Sequence, residues 1–266
     1  MNTLIDGQPS DHVPADDRGL LFGEQLFETM AFIDGAAPLW ARHMDRLQTG
    51  AERLGLTMPE IPLLLQECRQ LAGERGRSVL RLTLTAGSGG RGYWPAAEPQ
   101  ARRIIQARSW PADMTALRQH GLRTMLSTYR LPQGDPAVGL KHGNRLVQVL
   151  AARDCARAGL DEALLCDQSG QLAEGIASNL ILVVDGLALS PGDPAVDGVG
   201  LGWLRDRLDG DLDSGSVAAS AWRRCSELMM VNSVAGVRPV VAIDGEPLPV
   251  GPLCRHLQRL WDQELF

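Results

Sequence analysis

Apolar positions along the chain follow two periods. They recur every three to four residues over Leu39–Leu54, Ile61–Leu71, Asn144–Ala158, Leu201–Leu208 and Pro252–Glu264, the spacing of helices that bury one stripe. Short apolar runs at Ser78–Thr85, Arg103–Ala107, Leu122–Thr128, Ala163–Cys166, Asn179–Val184 and Leu228–Val231 predict strands. Asp-Gly pairs between apolar flanks, at Asp6-Gly7, Asp34-Gly35, Asp185-Gly186 and Asp244-Gly245, predict tight hairpin turns. A mixed α/β fold rich in antiparallel strands is expected. The pattern breaks at Ser109-Trp-Pro-Ala-Asp113, where proline and small polar residues end a strand-like run, so the chain is expected to divide into 1–110 and 111–266.

Composition narrows the classes. A chain of 266 residues with 44% hydrophobic and 22% charged residues can bury a sizeable core, as one large domain or two smaller ones. Its net charge of −6 and the lack of a basic cluster argue against nucleic-acid binding. The first nine residues lack the basic region and apolar run of a signal peptide, and no apolar stretch is long enough to span a bilayer. A cytoplasmic location without membrane partners is expected. The cysteines Cys68, Cys155, Cys166, Cys225 and Cys254 are scattered, with no Cys-x-x-Cys pair or histidine cluster, and read as buried thiols that hold no metal. The run Gly87-Ser-Gly-Gly-Arg-Gly92 lacks the spacing of a Rossmann or P-loop phosphate fingerprint.

The basic residues carry the anomaly. Of 26, 25 are arginine and one, Lys141, is lysine. An exposed cation can be either type at little cost, so a general bias toward arginine needs no structural cause. Lysine is irreplaceable where an amine must lose its proton and attack a carbonyl, which a guanidinium does not do. Lys141 is therefore the first candidate catalyst.

Four stretches give it a context: Gly87-Ser-Gly-Gly-Arg-Gly-Tyr93, Gly139-Leu-Lys-His-Gly-Asn-Arg-Leu146, Ala173-Glu-Gly-Ile-Ala-Ser-Asn-Leu180 and Val231-Asn-Ser-Val-Ala-Gly-Val-Arg-Pro239. Together they resemble the aminodeoxychorismate lyases, fold-type IV pyridoxal-phosphate enzymes related to branched-chain and D-amino-acid aminotransferases. The likeness runs from Leu4-Ile-Asp-Gly7 to about Pro239.

The resemblance implies a smaller N-terminal α/β domain, a larger C-terminal one with a barrel-like sheet, the cofactor between them, and a homodimer. It implies conversion of 4-amino-4-deoxychorismate to 4-aminobenzoate and pyruvate, a step of folate biosynthesis. Lys141 would hold pyridoxal 5'-phosphate covalently and act as the base, Glu174 would pair with the pyridine nitrogen, and Arg46 would bind the phosphate. Gly202, Trp203 and Leu204, at the start of a helix, would offer N–H groups to the same phosphate, helped by Asn232 and Ser233. Arg91, Tyr93 and Phe27 would contact the substrate, and the Thr29 hydroxyl would assist proton return. Ala31 stands where some relatives carry arginine, which leaves one substrate carboxylate without its expected partner. His43 reads as a helix-face histidine, and His142 as a packing residue beside the lysine. Two other readings are carried: a D-amino-acid or branched-chain aminotransferase, and a binding protein without cofactor on the same fold.

Overall fold

The computed structural model describes residues 2–73 and 75–266. Its contacts divide into two compact units, Met1–Trp110 with Leu140–Asn144, and Pro111–Gly139 with Arg145–Phe266.

The first unit contains β1 (Thr3–Ile5), β2 (Gln8–Pro9), α1 (Arg18–Phe22), β3 (Gln25–Ile33), α2 (Trp40–Leu54), α3 (Ile61–Ala72), β4 (Arg77–Thr85) and β5 (Arg102–Ser109). Its five strands form one antiparallel sheet in the order β2-β1-β5-β4-β3. The β3–β4 pairing is unbroken from Gln25↔Thr85 to Ile33↔Arg77. Helix α2 buries His43, Met44, Leu47, Gly50 and Ala51, the one-sided stripe its sequence period predicts, and packs on β3. Leu26, Met30, Phe32, Leu80, Leu82, Leu84 and Ile105 complete this core. The edge of β3 is covered by the returning segment 140–143: the Phe27 N–H donates to the Lys141 carbonyl (2.9 Å) and the Gly143 N–H to the Gln25 carbonyl (3.1 Å).

The second unit holds α4 (Met114–His120), β6 (Leu122–Leu131), α5 (Leu146–Ala158), β7 (Glu162–Asp167), β8 (Gln171–Gly175), β9 (Asn179–Val184), β10 (Leu187–Pro191), α6 (Val199–Arg207), β11 (Leu212–Gly215), β12 (Val217–Ala218), β13 (Cys225–Asn232), β14 (Gly236–Ile243), β15 (Glu246–Pro247) and α7 (Pro252–Glu264). Ten strands make a mixed sheet in the order β11-β10-β9-β13-β14-β6-β7-β8-β12, with β15 on β14. The parallel pair β6–β7 is joined through α5, as parallel neighbours require a crossover. Leu122, Leu164, Leu180, Leu182, Leu228, Met230 and Val240 fill one core, and Leu131, Ala151, Leu165 and Ala173 another beneath α5.

All four Asp-Gly pairs adopt positive φ at both residues. Several element limits depart from the sequence reading. Helix α5 starts at Leu146 instead of Asn144, because Leu140–Asn144 belongs to the first unit. Strand β6 runs on to Leu131 by pairing with β7 past a register shift. Helix α6 starts at Val199, two residues early. The five cysteines are buried and free, and burial pushes the thiols up, those of Cys68 and Cys254 to about 12. None of the described helices is long and apolar enough to cross a membrane.

Candidate active site

In the first unit, β3 presents different chemistry on its two faces, as alternation along a strand dictates. Phe27 and Thr29 share one face. The Lys141 Nζ lies 4.6 Å from the centroid of the Phe27 ring, placed there because its own backbone is bonded to Phe27. The Arg81 guanidinium carbon lies 3.8 Å from the centroid of the same ring, and Arg81 is the register partner of Thr29. Two cations thus share one aromatic ring.

Arg81 was not singled out from the sequence. It is half-buried and pairs with no carboxylate among the described residues; burial, then the neighbouring Arg108, pushes its pKa down. A partly desolvated guanidinium that faces another cation and has no counter-ion is suited to receive an anion.

Glu28 occupies the other face of β3. It accepts hydrogen bonds from Arg46 Nε (2.8 Å) and Nη2 (2.5 Å), and its Oε2 lies 2.6 Å from His43 Nδ1. Burial alone would raise the Glu28 carboxyl, but the Arg46 charge and the two sets of hydrogen bonds override it and hold the pKa at about 2. Burial, the largest influence, lowers His43 despite its contact with Glu28, so the ring is neutral at pH 7. His43 is thus a helix-face histidine on the buried face of α2. At 1% exposed it is a buried partner of Glu28, because α2 turns its i, i+3 pair His43 and Arg46 toward β3.

Arg91 and Tyr93 are exposed on a turn closed by reciprocal hydrogen bonds between the Arg91 and Trp94 backbones. His142 bridges Leu26, and its Nδ1 accepts from the Asn144 N–H (3.1 Å), which gives it a structural place in the lysine segment.

In the second unit the Glu174 carboxylate, on β8, is nearly buried. It accepts from Gln148 Nε2 (3.1 Å) and from the Val196 N–H (2.9 Å), with Arg145 Nη1 at 3.8 Å. A carboxylate has about four acceptor positions, so these partners leave capacity for one more donor. Asn179 ties the same region together by donating to the Val196 carbonyl (2.7 Å).

The open N–H groups of α6 lie earlier than Gly202–Leu204. The Gly202 N–H is already bonded to the Gly198 carbonyl (2.8 Å), so the N–H groups without intrahelical acceptors belong to Val199, Gly200 and Leu201. Trp203 and Leu204 are buried instead: Trp203 packs edge-on against Trp261 (5.4 Å, 72°) and under Arg207. Gly198 is the N-cap and supplies no side-chain cap, and a Cβ there would overlap the Asn179 carboxamide. Asn232 spends its carboxamide on its own neighbourhood, donating to the Ala177 carbonyl (3.2 Å) and accepting from the Val234 and Ala235 N–H groups. Ser233 follows it at the β13–β14 turn.

The first unit thus holds an amine and an arginine on a buried carboxylate, and the second, by itself, a buried carboxylate and a helix start with open N–H groups.

Comparison with known proteins gives the same direction. The family model described as "Amino-transferase class IV" matches residues 25–243. A crystal structure of 4-amino-4-deoxychorismate lyase from Pseudomonas aeruginosa is similar with a TM-score of 0.92 and 36% identity, covering 99% of each chain. Aminodeoxychorismate lyase of Vibrio harveyi is 27% identical over 263 residues, 96% of this chain and 97% of the relative. The PLP-bound form of a hypothetical aminotransferase from Mycobacterium tuberculosis shares the fold, with a TM-score of 0.86, 22% identity, and 100% and 99% of the two chains covered.

Proposed function

Since this chain belongs to the class IV aminotransferase family, whose cofactor is pyridoxal 5'-phosphate, we propose that it is a lyase that converts 4-amino-4-deoxychorismate to 4-aminobenzoate and pyruvate. The observation that supports the lyase reading over a transaminase is Arg81, a half-buried guanidinium beside the Phe27 ring that Lys141 also approaches, with no carboxylate partner among the described residues, since the substrate has two carboxylates to be held near the reacting amine. Arg81 takes the place left vacant at Ala31.

The cofactor supplies an electron sink conjugated to the substrate amine. Lys141 Nζ would hold it, and as a free amine would take the proton from the substrate ring carbon that bears the amine. Glu174 would pair with the pyridine nitrogen and favour its protonated form, and Gln148 with the Val196 N–H fixes the orientation of that carboxylate. Arg46 and the first-turn N–H groups of α6 bind the phosphate, with Ser233 as a further donor. Phe27 and Arg81 orient the substrate, Arg91 and Tyr93 cover it, and Lys141 Nζ or the Thr29 hydroxyl returns a proton as pyruvate departs. Aromatisation makes the step irreversible in practice. The work would be done by a cytoplasmic homodimer in folate synthesis.

Purified protein offered 4-amino-4-deoxychorismate should release 4-aminobenzoate, and Lys141→Ala should lose both turnover and the yellow cofactor absorbance. The family's other activity, amino transfer to 2-oxoglutarate from a D- or branched-chain amino acid, is assayed in parallel. Transfer without 4-aminobenzoate release would replace the lyase reading, and a colourless protein that takes up no cofactor would favour a plain binding role.

A further inference from the structure

Arg18 is 5% exposed, although it lies in the five-residue helix α1 just before an exposed apolar stretch, Leu20-Leu21-Phe22. Its guanidinium is surrounded by the glycine-rich turn. Nη1 donates to the carbonyls of Gly89 (3.4 Å), Gly92 (3.0 Å) and Trp94 (3.2 Å), Nη2 donates to the carbonyl of Tyr93 (3.2 Å), and Nε donates to Glu24 (2.6 Å). The backbone is fastened as well: the Arg18 N–H donates to the Gly87 carbonyl (2.7 Å). Asp17 accepts from Thr85, Arg102 and the Gly19 N–H. The glycines make this wrapping possible. Gly90 has φ +83°, and a Cβ there would overlap the Trp94 carbonyl and come within 3.0 Å of Arg18 Nη1. Phe22 lies under the guanidinium (5.0 Å) and against the Tyr93 ring (5.3 Å), linking the cation to the side chain of the turn.

One guanidinium thus satisfies four carbonyls within six residues, on a turn that the Arg91–Trp94 backbone pair also closes. We propose that Arg18 is a positioning residue: its guanidinium is the template on which Gly89–Trp94 folds, and it thereby sets where Arg91 and Tyr93 stand for the substrate. Lysine cannot replace it, because a point-like ammonium cannot span the four carbonyls and Glu24 together. The inference rests on the proposed reading for the substrate role of the turn, while the template role stands on the contacts alone.

Arg18→Lys and Arg18→Ala separate the two. Expected are a rise in KM for 4-amino-4-deoxychorismate of about tenfold or more, kcat within about twofold, and unchanged cofactor affinity in an absorbance titration. Trypsin should cut the Arg91–Gly92 bond faster in both variants, read by the mass of the fragment ending at Arg91. Millimolar guanidinium chloride, but not sodium chloride of equal ionic strength, should restore KM in Arg18→Ala. If that variant does not fold, Arg18→Lys carries the KM and trypsin readings. Wild-type KM with a protected Arg91–Gly92 bond would overturn the proposal, as would a parallel fall in cofactor affinity, the mark of general damage. If Arg91→Ala leaves KM unchanged while Arg18→Lys opens the turn to trypsin, the template stands and the turn is removed from substrate contact.

Discussion

Replacing Glu28 by glutamine removes one negative charge from a site where a nearly buried arginine and a buried histidine depend on it. The carboxyl falls from an ordinary 4.5 to about 2 in the fold. That depression, at ~1.4 kcal/mol per pH unit, corresponds to roughly 3–4 kcal/mol of stability. Breaking a buried ion pair on one side costs about 3–5 kcal/mol, in agreement with that figure. The pH dependence follows from the sign. A depressed carboxyl contributes fully above the unfolded value of about 4.5 and loses its contribution as pH falls toward 2. His43, lowered by burial, also weakens the fold as pH falls below 6.5, and more so in the variant, where the Glu28 contact that holds its pKa up is lost, so the gap widens between pH 6.5 and 4.5 before the Glu28 contribution fades. Urea unfolding of wild type and Glu28→Gln at pH 7, 5 and 3 should show a gap of about 3–5 kcal/mol at neutral pH that narrows below pH 4.5. A gap under ~1 kcal/mol at pH 7, or one that is constant down to pH 3, would refute the account of this ion pair.

Two further substitutions test the site. Arg81→Met should lower kcat/KM for the dicarboxylate by about 10- to 100-fold, the worth of a charge-assisted pair, with cofactor uptake unchanged; steady-state kinetics and a cofactor titration decide it. Gly198→Ala should displace the start of α6 by pushing on Asn179 and weaken cofactor affinity by about tenfold, measured by absorbance; wild-type affinity would remove α6 from the phosphate site.

What could be read from the sequence follows physical distinctiveness. Lys141 was visible because it is the only amine side chain among guanidinium groups, and the stripe of α2 because its helical period is clean. Arg81 and Arg18 were hidden for the converse reason. Among 25 arginines, only burial and partners mark them, and those come from strand register and turn packing separated in sequence. Glu28 is likewise one plain carboxylate until β3 places it against α2. The start of α6 was missed because Gly198-Val-Gly-Leu-Gly202 is a poor helix former by propensity, and its helical state is imposed by packing, where Gly200 meets Trp261. Nothing local reveals that the segment 140–143 pairs with β3.

That pairing also has a bearing on timing. The strand edge that receives Lys141 is made more than a hundred residues before the lysine itself, so the contact is among the most non-local in its unit and closes a long loop. A nascent or partly unfolded chain therefore carries Lys141 as an ordinary solvated ammonium, no more reactive toward stray aldehydes than any other lysine. Docking of 140–143 also occupies the exposed edge of β3, the part of the sheet otherwise open to pairing with another chain. Protection against aggregation and presentation of the reactive amine are thus completed by the same event.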